Sequence, residues 1–346
     1  MHHGKRVRPI GPFRFHVPFD QGALSTGSAA SVLLIRPERG FDPGPLAPLT
    51  LCHRTDDVRV ASALTAAGIG PAQPGAVSDM AIVWTDRHRD VARADVAAAF
   101  ESVRPGGTVI LDGAKAHGID SLIKRLKPLV APDGIAAKSH GKVAWFSRPT
   151  RLASTFSDWT ATVAPRRNAD GFLTQSGLFS PDRIDPGTRL LAEAIAGPLT
   201  GRIADLGAGW GGLSALLLAR GATPERLDLL ETDARALALA RRNIDHPAAA
   251  FHWADATQPK TKEIYDLVVA NPPFHESRSA NPTLGRAFIA AAAAILRPKG
   301  VFWMVANRHL AYEAAMTEHF RHWDEHPGSP QFKIFRAERP GSRRRR

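Results

Sequence analysis

From Gly201 onward the chain alternates short apolar runs with stretches of helical periodicity, a pattern that confines it to a mostly parallel sheet covered by helices. Strands are expected at residues 202–207, 226–231, 250–254, 265–270, 301–305 and 332–336, and helices at 212–220, 234–243, 284–296 and 312–320. The run Tyr265-Asp266-Leu267-Val268-Val269-Ala270 is nearly continuous in apolar character, as a strand covered on both faces must be.

The first half carries a fainter version of the same pattern. Asp79-Met80-Ala81-Ile82-Val83-Trp84 resembles the 265–270 run in character, and a helix is expected at 91–103. Arg104-Pro105-Gly106-Gly107 then precedes a strand at 108–111, just as Arg297-Pro298-Lys299-Gly300 precedes 301–305, at an offset of 193 residues. Each half closes on a further strand, 142–146 in the first case. The pattern reads as a duplicated α/β domain, and 346 residues are enough for two cores. The expected division is a first domain at 1–150, a linker at 151–176 and a second domain at 177–346. Residues 148–169 show little periodicity and read as a linker or an edge hairpin. The segment with Gly177-Leu178-Phe179-Ser180, Asp185-Pro186-Gly187-Thr188 and a helix at 189–195 immediately precedes the first strand of the second half, so it reads as a lid. Ser180, Asp185 and Gly187 are its candidate lining residues.

At the end of that first strand stands Asp205-Leu206-Gly207-Ala208-Gly209-Trp210-Gly211-Gly212. Glycines there permit a tight strand-to-helix turn and let the backbone approach a ligand, and the following helix N-terminus offers N–H groups to an anion. Glu231 ends the next strand, where an acid binds ribose hydroxyls. A nicotinamide cofactor and S-adenosylmethionine would both use this arrangement.

Asn271-Pro272-Pro273-Phe274 separates them. It follows the 265–270 strand at the carboxyl edge of the sheet, where open α/β folds bind ligands. The Asn271 amide oxygen and the Pro272 carbonyl, stiffened by two prolines, make a pair of acceptors suited to a planar NH2 group. Two such hydrogen bonds draw the amine out of conjugation and aim its lone pair at an electrophilic methyl, while Phe274 offers a face for the ring. Positioning then supplies the catalysis, with no strong base.

This constellation resembles the class I S-adenosylmethionine-dependent methyltransferases that act on exocyclic or amide nitrogens. Gly177-Leu178-Phe179-Ser180, the extension to His275, Val305-Ala306-Asn307 and Phe332-Lys333-Ile334-Phe335-Arg336 narrow the resemblance to the ribosomal small-subunit RNA methyltransferase C group, with the large-subunit methyltransferase G group as near neighbour. The resemblance implies two tandem Rossmann-like domains, the first a degenerate copy that assists folding and RNA binding. It implies that Asp205, Gly207 and Gly209 hold the methionine and ribose portions of the cofactor, Glu231 the ribose hydroxyls and Asp255 the adenine amine. Asn271, Pro272, Pro273 and Phe274 would hold a guanine for methylation at N2, with Asn271 also bordering the cofactor. In agreement, the first half reads Thr85-Asp86-Arg87-His88 where Asn-Pro-Pro-Phe is expected, and residues 31–39 lack a glycine loop. Other readings of the same motif are a 23S rRNA guanine, an adenine N6, a protein glutamine, or an assembly factor that binds RNA without turnover.

Charge bears on the partner. The chain has 45 Lys plus Arg against 33 Asp plus Glu, a net +12, which favours an anionic partner such as ribosomal RNA or a ribosomal subunit. Lys5, Arg6, Arg8 and Arg14 interleave with Phe13, Phe15 and Phe19, either to contact RNA or to anchor a charged terminus. Lys115, Lys124, Arg125 and Lys127 lie on or beside one expected helix and are the better candidates for an RNA-facing surface; Arg343–Arg346 form a basic tail. The lone Cys52, no zinc-type Cys/His spacing and no membrane-length apolar run lead to the expectation of a metal-free, monomeric, cytoplasmic enzyme.

Overall fold

The computed structural model describes residues 13–196, 199–259, 264–273 and 282–340. Phe274, His275, Lys5, Arg6, Arg8 and the Arg343–Arg346 tail lie outside the described residues. Two compact units divide the chain, Met1–Thr55 with Val60–Ala164, and Asp56–Arg59 with Pro165–Arg346.

The first unit holds β1 (Ser31–Ile35), β2 (Thr50–Arg54), β3 (Gly70–Pro71), β4 (Ser78–Trp84), β5 (Val103–Ala114), β6 (Gly134–Lys138) and β7 (Gly141–Ser147) in the order β3-β2-β1-β4-β5-β7-β6. Its helices are α1 (Val17–Asp20), α2 (Val58–Ala66), which begins at the unit boundary, α3 (Arg89–Ser102), α4 (Ile119–Leu126) and α5 (Ser154–Ala161). A short hairpin of β8 (Arg166–Arg167) and β9 (Leu173–Thr174) opens the second unit. There follow α6 (Pro186–Ala194), β10 (Thr200–Leu206), α7 (Gly212–Ala219), β11 (Thr223–Glu231), α8 (Ala234–Asn243), β12 (Ala249–Trp253), β13 (Tyr265–Ala270), α9 (Pro282–Ile295), β14 (Leu296–Asn307), α10 (Glu313–His319), β15 (Phe320–His326) and β16 (Phe332–Pro340). The second sheet runs β12-β11-β10-β13-β14-β16-β15. Strand for strand this is the order of the first, and in both the last two pairings are antiparallel while the rest are parallel. Among the described residues no helix is long and apolar enough to cross a membrane.

The duplication extends to single hydrogen bonds. Asp79, at the start of β4, accepts from the backbone N–H groups of Ala30 and Ser31 and pairs with Arg104 at 2.6 Å. Asp266, at the start of β13, accepts from the Arg202 N–H and pairs with Arg297 at 2.7 Å. Each Arg-Pro-x-Gly stretch, expected to precede a strand, is instead part of it, bulging it between Val103 and Thr108 or between Leu296 and Val301. The bulge presses its last glycine onto the neighbouring strand. A Cβ on Gly107 would lie 2.4 Å from the Asp79 carbonyl, and one on Gly300 would lie 2.9 Å from that of Tyr265. Gly107→Ala and Gly300→Ala are therefore each expected to destabilise their own unit by about 2–3 kcal/mol. Differential scanning calorimetry checks this; an unchanged melting profile for either variant would show that the bulge absorbs the methyl.

The copies differ at the carboxyl edge. Where the second unit has a glycine turn and α7, the first has Arg36 (φ 52°) and only a 3-10 turn at Gly44–Leu46. Phe15 and Phe41 stack there with centroids 5.9 Å apart, and Trp84, the last residue of β4, meets both edge-on at 5.4 and 5.7 Å. Phe13 and Phe15 are core residues, and Arg14 pairs with the buried Asp112. The described part of the N-terminal basic and aromatic stretch thus anchors the chain and fills the carboxyl edge of the first sheet. Burial pushes the Asp112 carboxyl up to about 6 despite that pairing.

Candidate functional site

Strand β10 is central in its sheet, flanked by β11 and β13. Beyond its end the chain turns through Gly207, Gly209 and Gly211 at φ +73°, +56° and +89°, the left-handed region in which a side chain is strained. The Gly207 and Ala208 N–H groups donate to the Leu230 carbonyl, and the Gly209 N–H donates to Glu231 Oε2 at 2.8 Å. Glu231 also accepts from the Asp233 N–H at 2.8 Å and from Thr232 Oγ1 at 3.1 Å, so its carboxylate clamps the glycine turn to the end of β11. Burial holds its pKa above the usual carboxylate range.

Asp205, the next-to-last residue of β10, is 1% exposed. Its Oδ2 accepts from Ser214 Oγ at 2.7 Å, and the carboxylate also accepts the Ser214 backbone N–H in the first turn of α7. Burial nevertheless pushes Asp205 up to about 7, opposed by the Ser214 hydrogen bonds and reinforced by the Glu231 charge.

Asn271 follows the last residue of β13. Its Nδ2 donates to Asp185 Oδ2 at 3.0 Å and to Thr188 Oγ1 at 2.7 Å, while its Oδ1 is buried without a hydrogen-bond partner among the described residues. Asp185 is the N-cap of α6, its Oδ2 accepting the Thr188 N–H at 2.9 Å, with Pro186 in the helix's first turn. One cap therefore starts α6 and orients Asn271. Asp185, expected to line the lid, does line the cleft and holds the amide as well. Pro272 is buried and Pro273 exposed.

Asp205, Gly207, Gly209 and Asn271 line one cleft with Phe179, Ser180, Ile184, Asp185 and Thr188 of the expected lid segment. The Trp210 indole N–H donates to the Phe179 carbonyl at 2.9 Å, and Asn243 bonds the backbone of both Leu173 and Trp210, tying hairpin and turn together. Phe179 is 56% exposed at the cleft. Glu231 and Asp255 do not line the cleft. Glu231 reaches it through the Gly209 N–H. Asp255 closes a turn after β12, accepting from the Thr257 N–H at 2.9 Å and Oγ1 at 2.6 Å.

The site also uses residues that sequence reasoning passed over. Thr188 shares the Asn271 amide and Ser214 holds Asp205. The Asp185-Pro186-Gly187-Thr188 stretch carried the signal for Thr188, since a hydroxyl three residues after an N-cap lies in the first helical turn.

A family model described as the methyltransferase small domain matches residues 170–336. The ribosomal RNA small subunit methyltransferase C of Shewanella loihica is 30% identical over 241 residues, covering 67% of this chain and 68% of the relative. This chain belongs to that methyltransferase family. The methyltransferase C of Shewanella halifaxensis is 29% identical over 74% of this chain and 76% of its own. The solved T. thermophilus 16S rRNA N2 methyltransferase, in complex with AdoMet and guanosine, superposes with a TM-score of 0.75 at 23% identity over 90% of this chain and 88% of that one. The likeness spans both units, so the chain as a whole has the fold of that protein.

Proposed function

We propose that this protein transfers a methyl group from S-adenosylmethionine to the exocyclic N2 of a guanine in 16S rRNA, as a cytoplasmic monomer. The observation that carries this reading is the Asn271 amide. Its nitrogen is committed to Asp185 and Thr188, and its oxygen is a buried acceptor at the cleft with no partner among the described residues. An acceptor so held costs free energy until a donor arrives, and an exocyclic NH2 is such a donor. The Pro272 carbonyl is the second acceptor, and Phe274 gives the ring its stacking face.

The residues present also fit the cofactor. Glycines with positive φ leave room for close approach and the Asp205 carboxylate in the cleft suits the cationic amino group of the methionine portion, while Glu231 and Asp255, which lie outside the cleft and hold turns beside it, would meet the ribose hydroxyls and the adenine amine at the cleft's margin. When bound, the cofactor supplies a sulfonium methyl whose positive charge disappears on transfer. Asn271 and Pro272 hold the accepting nitrogen in line, which makes positioning the main contribution.

The direct test is methyl transfer from labelled S-adenosylmethionine to 16S rRNA and to small subunits, followed by nucleoside mass spectrometry. N2-methylguanosine is expected; label in adenine, in 23S rRNA or in protein overturns the reading. A second expectation concerns the amide's support. Thr188→Val keeps the shape but removes the acceptor, so kcat is expected to fall by about 10- to 30-fold with cofactor Kd unchanged, while Thr188→Ser retains activity. Equal kcat for Thr188→Val and wild type would show that Asp185 alone orients Asn271.

A further inference from the structure

One stretch of the first half of the sequence belongs to the second unit. Asp56–Arg59, the turn after β2 with the first residues of α2, falls with Pro165–Arg346, although the residues before and after it belong to the first unit. There it meets the turn between β11 and α8. Asp57 forms an antiparallel bridge with Asp233. The Val58 N–H donates to the Thr232 carbonyl at 3.1 Å, and the Ala234 N–H donates to the Asp56 carbonyl at 2.9 Å. The indole N–H of Trp253, at the end of β12, is shared between the same two carbonyls, 3.0 Å from that of Asp56 and 2.7 Å from that of Thr232. Arg235 adds an ion pair to Asp56 at 3.1 Å.

The two turns are the same element of the two copies. β2 and β11 hold the same place in their sheets, and each is followed by an Asp-x-Arg whose aspartate accepts the arginine's backbone N–H, at 2.8 Å for Asp57 and 2.9 Å for Asp233. They differ two residues upstream, where Thr55 corresponds to Glu231. The first turn thus lacks the acid yet keeps the backbone that pairs with the second.

The bridge acts on the neighbours of Glu231. Thr232 and Asp233 supply the hydroxyl and the N–H that hold Glu231 Oε1, and Glu231 Oε2 holds the Gly209 N–H. Trp253 also pairs with Glu231 in the β11–β12 register, and Asp255 lies two residues beyond it. A strand-to-helix turn is ordinarily more mobile than the strand it leaves. One fixed by hydrogen bonds through its own carbonyl and N–H groups loses less freedom when a ligand arrives, so it binds more tightly.

We infer, given the ribose contact proposed above for Glu231, that Asp56, Val58 and Trp253 are positioning residues for that contact, and that the first half of the chain contributes to cofactor affinity through this clamp.

Titration calorimetry of the full chain, without RNA, against S-adenosylhomocysteine and its 2′,3′-dideoxyribose analogue tests this. Val58→Pro removes the N–H donated to Thr232 while suiting the first position of α2, and Trp253→Phe removes the indole N–H but keeps a ring. Each is expected to weaken S-adenosylhomocysteine binding about 10-fold and the dideoxy analogue by less than about threefold, so that the preference for ribose hydroxyls shrinks. Val58→Ala keeps the N–H and copies Ala234 of the second turn, and it is expected to bind both ligands like wild type. Unchanged affinity for S-adenosylhomocysteine in Val58→Pro and Trp253→Phe, at wild-type circular dichroism, overturns the clamp. So does an equal loss for both ligands, which would mean that the bridge only supports the fold. Glu231→Gln separates the clamp from its premise. If that variant keeps the wild-type preference, Glu231 does not meet the ribose and the clamp has nothing to position. If Glu231→Gln alone loses the preference, the contact stands and the clamp is overturned.

Discussion

Asn271→Ala is expected to lower kcat for methyl transfer by about 10³-fold while cofactor Kd changes no more than about threefold. The split follows from where the side chain sits. Asn271 borders the cleft from the end of β13; its oxygen is an acceptor without a partner among the described residues, and its nitrogen is tied to α6 rather than to the glycine turn. Removing it deletes an acceptor for the target amine and leaves Asp205, Gly207 and Gly209 in place. Asn271→Asp separates hydrogen bonding from shape. It keeps an oxygen toward the amine but sets a second carboxylate where the amide nitrogen lay 3.0 Å from Asp185 Oδ2. Two carboxylates at that distance repel or share a proton, so this variant is also expected to be slow, with kcat rising toward acid pH as the shared proton is restored. Single-turnover transfer measured alongside equilibrium cofactor binding checks both variants. A kcat within fivefold of wild type for Asn271→Ala would sink the role given to the amide.

How much of this was legible in the sequence depended on whether the determining contacts are local. The bounds of β13 and α8 could be read to the residue, because a run such as Leu267-Val268-Val269-Ala270 buries everything it has and an N-cap such as Asp233 announces its helix. Edge strands could not. β6 and β15 are paired on one side only and mostly exposed, so Gly134–Lys138, with its small residues, lacks the apolar run of a central strand and Phe320–His326 carries the polar composition of a loop. Helix α5 was hidden for a related reason. Its buried residues are two, Phe156, 4.9 Å from Phe100 of α3, and Trp159, both packed into the core of the first unit, too few to give a period. At the site the same division holds. The residues of the glycine turn and of Asn271-Pro272-Pro273-Phe274 are contiguous and carry their chemistry in their order. The bonds from Asn271 to Asp185 and Thr188 span 86 and 83 residues, and nothing local to either segment marks the other as its partner.

Asp205→Asn is expected to stabilise the cofactor-free protein above pH 7 while weakening S-adenosylmethionine binding by on the order of 100-fold. The buried Asp205 carboxyl is pushed from an ordinary value of 3.8 to about 7. Its folded state therefore holds the proton more tightly than the unfolded chain does. Below about pH 4 both states are protonated and the group makes no difference to stability. Between pH 4 and 7 the unfolded chain ionises first, so stability falls as pH rises, and above 7 the full cost, on the order of 4 kcal/mol, is present. Asparagine never ionises and can still accept from Ser214, so the gap in Tm between variant and wild type should widen from pH 5 to pH 8 in the variant's favour. The cofactor reverses the preference, because a cationic amino group beside Asp205 stabilises the ionised form. Binding below pH 7 must then expel a proton, so wild-type Kd is expected to weaken about tenfold for each unit that pH drops below 7 and to level off above it. Titration calorimetry in two buffers of different ionisation enthalpy measures the expelled proton directly, and Asp205→Asn should release none from this position. Wild-type affinity that stays flat from pH 5.5 to 8 would mean that Asp205 is already ionised in the free protein, and that Ser214 and the first turn of α7 outweigh its burial.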